Sequence, residues 1–236
     1  MSTGLPRGWV ADTAALYGRA FRRGAVLALR NWPVGLVVIL YGALLGLVRF
    51  LAAPLGFAGG LLVYLVTVAC VSSWLSLVAE VIRVGRVRLQ DIPTGFATYL
   101  NDLLTAGFLL WGLVFVGSLV LAPFTFLQIV FGLALIVFFN ALPELIYLGR
   151  HTGTELLVES YRFIGENWIE WFPANLALGA CVFAVVRFLP GGPFGLLADA
   201  VLGLVLYFGM LVRGLLFQEL ASSGRRAREF RRRAAG

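Results

Sequence analysis

LLTAGFLLWGLVFVGSLVLAPFTFLQIVFGLALIVFFNALP, residues 103–143, runs 41 positions without a charged side chain. As one straight helix it would be about 60 Å long, roughly twice the hydrocarbon thickness of a bilayer. The chain therefore has to turn inside it. Pro123, in the APF step at 122–124, supplies the place, because proline cannot continue a helix without losing a hydrogen bond. The stretch reads as two membrane-spanning helices joined by a short turn.

The rest of the chain follows the same pattern. Uncharged runs cover Asn31–Val48, Phe50–Ala79 and Trp171–Val186, and Phe188–Val212 is interrupted only by Asp199. Turn signals stand between them, AAPLG at 52–56 and PGGP at 190–193. Six spans are expected, near 32–51, 56–79, 102–121, 124–146, 171–189 and 195–219. Composition agrees: 60% of the 236 residues are hydrophobic and 13% charged, where a soluble domain carries about 25% charged. The runs are apolar on every face, which disfavours a β-barrel with its alternating strands. The first run has full spanning length and no A-x-A-like exit, so a cleaved signal peptide is not expected. The fold class is all-α: a polytopic membrane protein forming a single membrane domain over 1–236.

Arginine placement sets the expected topology, since the chain has no lysine. Arg7, Arg19, Arg22, Arg23 and Arg30 precede the first span. Arg83, Arg86 and Arg88 follow the second, Arg150 and Arg162 follow the fourth, and the tail reads GRRAREFRRR. The opposite side has only Arg49 and Arg187. Cationic loops stay cytoplasmic, so both termini are expected inside. The basic tail, 224–236, is expected either to touch anionic lipid headgroups or to serve only as a topology anchor.

The 41-residue run ends in PELIYLGR, 143–150, whose E-x4-G-R pattern occurs three times: Glu80 to Arg86, Glu144 to Arg150 and Glu219 to Arg225. VRFL at 48–51 returns at 186–189, and PLGF at 54–57 faces PFGL at 193–196. Asn31, Asn101 and Asn167 each open a unit. These correspondences predict three parallel repeats, about 8–88, 89–151 and 152–228. Each would be an interfacial helix followed by a spanning hairpin. The interfacial helix is clearest at 152–171, where Leu157, Tyr161, Ile164 and Trp168 form one apolar face and Glu155, Glu159, Arg162 and Glu166 the other. Thr152 and Glu155 have capping-box spacing at its start. Ile92, Phe96 and Tyr99 make a shorter stripe.

Glu80, Glu144 and Glu219 are the candidate polar site, with Ser76 and Asn140 one turn before two of them and Arg213 as a partner within the last span. Asp102, Asp199 and Gln218 are further candidates. Ionisable groups in a span are costly and often mark a pathway or ligand site. The competing reading is a helix end, with glycine as cap and arginine as anchor. Against it, a carboxylate at a helix C-terminus opposes the macrodipole, so something should compensate. Three readings stand for the glutamates: a structural polar network joining hairpins to interfacial helices, a ligand or ion site, and unpaired interfacial charge. Arg49 and Arg187 are snorkelling anchors or an outer anion or lipid-headgroup site. Small residues in GLALIVFFNA and GLVLYFG permit close helix packing. His151, the one histidine, reads as a solvated turn residue, and Cys70 and Cys181 as small core hydrophobes. One histidine and two isolated cysteines cannot make an ordinary metal site, and no catalytic, phosphate-binding or cofactor motif is present. No enzyme activity, cofactor or nucleic-acid partner is expected.

VESYRFIGENWIEWFPANL, 158–176, resembles a group of bacterial six-span proteins. The group includes the membrane domain fused to some glycerophosphodiester phosphodiesterases and its uncharacterised stand-alone relatives. The resemblance implies a bacterial cytoplasmic-membrane protein without catalytic residues of its own, and no phosphodiesterase domain is present. The expected function is a non-enzymatic membrane scaffold or accessory subunit binding lipid or a partner protein. The alternative is a transporter or lipid-handling protein with its polar site at the three glutamates.

Overall fold

A computed structural model describes residues 7–87, 92–149, 151–189 and 195–222, with side chains from residue 11 onward. The basic tail, Arg88, Arg150, Gly224, Arg225 and the PGGP turn lie outside the described residues. Those described form helices and turns, with no strand among them. Nine helices are described: α1 (Arg7–Arg30), α2 (Pro33–Ala52), α3 (Gly56–Val84), α4 (Ile92–Thr98), α5 (Leu100–Val120), α6 (Thr125–Phe138), α7 (Leu142–Leu148), α8 (Glu155–Phe188) and α9 (Gly195–Ser222).

Five stretches are long and apolar enough to cross a membrane: Pro33–Val84, Leu100–Val120, Thr125–Leu148, Glu155–Phe188 and Gly195–Ser222. The first, of 52 residues, is α2 and α3 joined by a 3-10 turn at Ala53–Leu55. Gly56 follows with φ +54, a conformation L side chains rarely adopt. The chain folds back there, because the Tyr41 hydroxyl of α2 reaches Ser73 of α3 at 2.7 Å.

Two expected element boundaries moved. The helix begun at Thr125 breaks over Phe139–Ala141 and restarts as α7 with Pro143 in its first turn, a position that suits proline's missing N–H. In contrast, no break separates the amphipathic segment at 155–170 from the span after it; α8 runs through both, with Pro173 inside. It also starts later than the capping box requires. Glu155 is its first residue rather than its third, and it faces His151 at 3.5 Å.

The helices collect into two compact units. One holds the described residues of Met1–Ile39, Glu80–Val87 and Asn167–Gly236; the other holds those of Leu40–Ala79 and Arg88–Glu166. In the first unit, α1 packs along α9. Phe21 meets Phe208 edge to face at 5.1 Å, and a Cβ on Gly24 would lie 3.0 Å from Val212. The start of α2 crosses α9 at Gly35 and Gly203. A side chain on Gly203 would strike the Gly35 carbonyl oxygen, so only glycine permits this approach. Gly209, from the same small-residue stretch, packs against Leu178 of α8. Gly132 of the other stretch has open space where its side chain would be.

In the second unit, burial concentrates on Cys70–Ala79, Ala141–Tyr147 and Leu156–Ile164. By contrast, α6 has no buried residue and α5 has one, Ala106. Their exposed surface is Phe, Trp, Leu, Val and Ile, including Phe108, Trp111, Phe126, Leu133 and Ile136. Apolar surface on that scale requires an apolar surrounding.

Candidate functional site

The buried polar groups are where function would be built, because each desolvated donor or acceptor needs a partner. In the second unit the sequence that matters is the serine doublet Ser72–Ser73 in α3. Both are fully buried. Ser72 Oγ donates to the Gly95 carbonyl at 2.9 Å and accepts from the Tyr99 N–H at 2.9 Å. Ser73 Oγ donates to the Ile92 carbonyl at 3.0 Å and accepts from the Tyr41 hydroxyl. The two side chains thus bind both ends of α4. Gly95 makes the approach feasible, since a Cβ there would lie 3.0 Å from Ser73 Oγ and 3.3 Å from Ser76 Cβ. The expected stripe Ile92, Phe96 and Tyr99 is used by other means: Phe96 packs on Tyr41, and Tyr99 lies just past α4.

Glu144 lies in the same unit, on α7, with no exposed surface. It occupies the first turn of a helix rather than the last turn of a long one. The expected conflict with the macrodipole is therefore reversed, because a carboxylate is favourable at a helix N-terminus. Asn140 stands within the break, half-buried. Gly149 ends α7 with φ −74, outside the left-handed region, yet a Cβ there would strike the Leu145 carbonyl oxygen. The buried face of α8 is rotated from the expected one. Leu156, Ser160, Phe163, Ile164, Asn167 and Trp171 are buried, whereas Tyr161 and Trp168 are 58% and 55% exposed. The rotation gives Ser160 a partner, the Phe138 carbonyl, at 2.8 Å. Arg162 stays on the exposed face between Glu159 and Glu166, at 3.8 and 3.9 Å.

In the first unit, the end of α3 fits the glycine-cap reading. Gly85 has φ +82 and donates to the Val81 carbonyl. Asn31 brackets this end. Its Nδ2 donates to the Leu27 and Gly85 carbonyls, and its Oδ1 accepts from the Val87 N–H. Asn167 is buried too, whereas Asn101 is exposed. Glu80 and Ser76 are half-buried on α3.

Glu219 lies one turn before the end of α9 and meets Arg19 of α1. Arg19 Nη2 approaches Oε2 at 2.9 Å and Nε approaches Oε1 at 3.4 Å. A cation beside it relieves the macrodipole conflict at this site. Arg213 places its guanidinium 5.2 Å from the centre of the Trp171 ring, a cation–π arrangement. Trp171 is fully buried and also contacts Phe217.

Tyr17 makes the least expected contact. Its hydroxyl donates to the Glu170 carbonyl at 2.6 Å and accepts from the Ala174 N–H at 3.2 Å. Those two groups would bond to each other in an undisturbed helix. The tyrosine is inserted into that hydrogen bond beside Pro173, where the ladder already lacks a donor. Burial pushes the Tyr17 phenol above its ordinary value, so it keeps the proton it donates.

Arg49 and Arg187 are exposed, each in the last turn of its helix, where a cation complements the helix dipole. Among the described residues, no three His, Cys, Asp or Glu side chains come close enough to hold a metal ion. Residues missed in the sequence are Tyr17, the Ser72–Ser73 doublet, and the arginine face of α1. The one available signal was spacing, since Arg19, Arg22, Arg23 and Val26 fall at i, i+3, i+4 and i+7. No protein-family model matches the chain, and no match was found among curated proteins or solved structures.

Proposed function

We propose that this chain is a non-enzymatic multi-pass membrane protein, a scaffold or accessory subunit that binds lipid or a partner protein. One observation carries the reading: buried and half-buried polar side chains are engaged by the chain's own backbone. Ser72 and Ser73 hold α4, Tyr17 holds α8, and Asn31 holds the end of α3. A transport pathway needs polar groups that face a wetted passage and change partners. Groups already bonded to backbone favour a fixed framework instead.

The finer architecture belongs to the same proposal. Pro33–Val84 crosses twice, the whole chain six times, and the three hairpins are related repeats. Arginine asymmetry puts both termini in the cytoplasm, and the basic tail rests on anionic lipid. The similarity of 158–176 to bacterial six-span membrane domains favours a bacterial inner membrane.

The test replaces Glu80, Glu144 and Glu219 by Gln, singly, in full-length protein reconstituted into vesicles. The expected result is unchanged passive ion and proton leak, with lowered thermal stability for Glu144→Gln. A glutamate-dependent flux that disappears in a variant retaining wild-type stability would overturn the scaffold reading and install the transporter.

A further inference from the structure

We infer that the groove between α1 and α9 is a site for the phosphate of an anionic phospholipid. The inference rests on the lipid-binding reading above. The groove is about 730 Å³ and is lined by Arg19, Arg22, Arg23 and Val26 on α1, and by Leu215, Gln218, Glu219 and Ser222 on α9. On each helix these positions fall at i, i+3, i+4 and i+7, so one continuous face of each helix forms one wall.

The charge is unequal. Three guanidinium groups face one carboxylate, and that carboxylate is committed to Arg19. Arg19 and Glu219 are 62% and 37% exposed, so the pair adds little stability; its effect is to fix one edge of the groove. Arg22 and Arg23 remain as an excess positive charge, both exposed. Gln218 adds an amide opposite them, while the Ser222 hydroxyl donates to the Glu219 carbonyl at 3.2 Å. Two guanidinium groups with an amide donor beside them match the oxygens of a phosphate.

Phosphate could come from a lipid or from solution, and α1 favours lipid. Val26 and Leu29 continue the Arg22 face at i+4 and i+7, and are 60% and 77% exposed. A helical rise of 1.5 Å per residue puts Leu29 about 10 Å beyond Arg22 along the axis. The face is thus cationic at one end and apolar at the other, with Leu215 opposite on α9. A soluble phosphate has no use for the apolar end, whereas a lipid places its headgroup on the arginines and its acyl chain along Val26 and Leu29.

The experiment is native mass spectrometry of the full chain in detergent. Phosphatidylglycerol or phosphatidylcholine is added, with inorganic phosphate as competitor. Wild type should retain phosphatidylglycerol in preference to phosphatidylcholine. The double variant Arg22→Gln/Arg23→Gln should lose roughly 25-fold in phosphatidylglycerol affinity, about five-fold per arginine. Glu219→Gln should bind it more tightly, because the groove loses the one carboxylate among its described lining residues. That opposite sign separates a charge effect from damage to the fold. Undiminished phosphatidylglycerol binding by the double variant overturns the proposal, as does weakening by Glu219→Gln. Displacement of the lipid by an equal concentration of inorganic phosphate also overturns it and assigns the site to a soluble anion. Failure of wild type to retain any lipid or partner overturns the broader scaffold reading; loss of the headgroup preference alone overturns only the groove.

Discussion

Replacing Ser73 by alanine tests whether α4 is fastened to α3 by hydroxyls or merely rests there. The Ser73 oxygen is fully buried and makes two hydrogen bonds, from Tyr41 and to the Ile92 carbonyl. Two bonds at about 1 kcal/mol each give a loss of about 2 kcal/mol. The Tyr41 hydroxyl is then left buried without its partner, which raises the loss to about 3 kcal/mol. Tyr41→Phe removes one bond and leaves the Ile92 contact intact, a loss of about 1 kcal/mol. In the double variant nothing is stranded on the tyrosine, so the total should be about 2 to 3 kcal/mol rather than the additive 4. The coupling is therefore about 1–2 kcal/mol, at the upper end of the range found between membrane helices. Trp74, next to Ser73 in α3, gives a fluorescence readout for unfolding of the micelle-bound protein in increasing SDS. The double-mutant cycle needs four proteins: wild type, the two single variants and the double. A coupling below about 0.3 kcal/mol is the additive limit, and would mean that the two hydroxyls do not act on each other; a Ser73→Ala loss below about 1 kcal/mol would mean that α4 is held by apolar packing.

Gly203→Ala drives a methyl group into the Gly35 carbonyl oxygen, which is backbone and cannot swing aside. Thermal unfolding should register a loss of about 1–3 kcal/mol, whereas Gly42→Ala, with nothing within 4 Å, should be neutral or slightly stabilising. A lipid-soluble maleimide should label Cys181, which is exposed, and spare Cys70, which is buried, until detergent unfolds the chain. Tyr17→Phe should cost less than about 1 kcal/mol near neutral pH, because Ala174 and Glu170 can then bond directly. The Tyr17 phenol is raised above its ordinary 10.0, so its contribution is present below that value and fades as pH climbs past the raised one. The stability difference between wild type and Tyr17→Phe should shrink at strongly alkaline pH.

Helix was legible wherever the apolar runs were long, because a run apolar on all faces has few stable forms besides a spanning helix. The turns at 53–56 and after Leu121 were legible from proline and glycine for the same local reason. Helix continuity was less so. Pro143 marked no boundary by itself, yet it sits in the first turn of α7. Pro173 lies inside α8, and the missing ladder bond beside it is bridged by a tyrosine from another helix. The buried face of α8 was misjudged because Tyr161 and Trp168 outweighed Ser160 and Asn167 in apolar size. The serine had backbone to bond, the Phe138 carbonyl, and that partner is not local in sequence.

Of the candidate site, the residue identities were readable and their partners were not. Glu144, Glu219 and Arg213 stand out in any scan for charge within apolar sequence. Which group meets Glu219 depends on Arg19, 200 positions away; what holds Arg213 depends on Trp171 in another helix.

The sequence by itself determined that the chain is all-helical, that it has surface only lipid-like surroundings can cover, and where its polar exceptions fall. These follow from solvation, which acts on each segment alone. Only the tertiary structure decided that α1 lies on α9, that Ser72 and Ser73 capture α4, and that Glu144 opens a helix instead of closing one. Hydrogen bonds and ion pairs are directional and short, so their partners exist only once distant segments have been brought together.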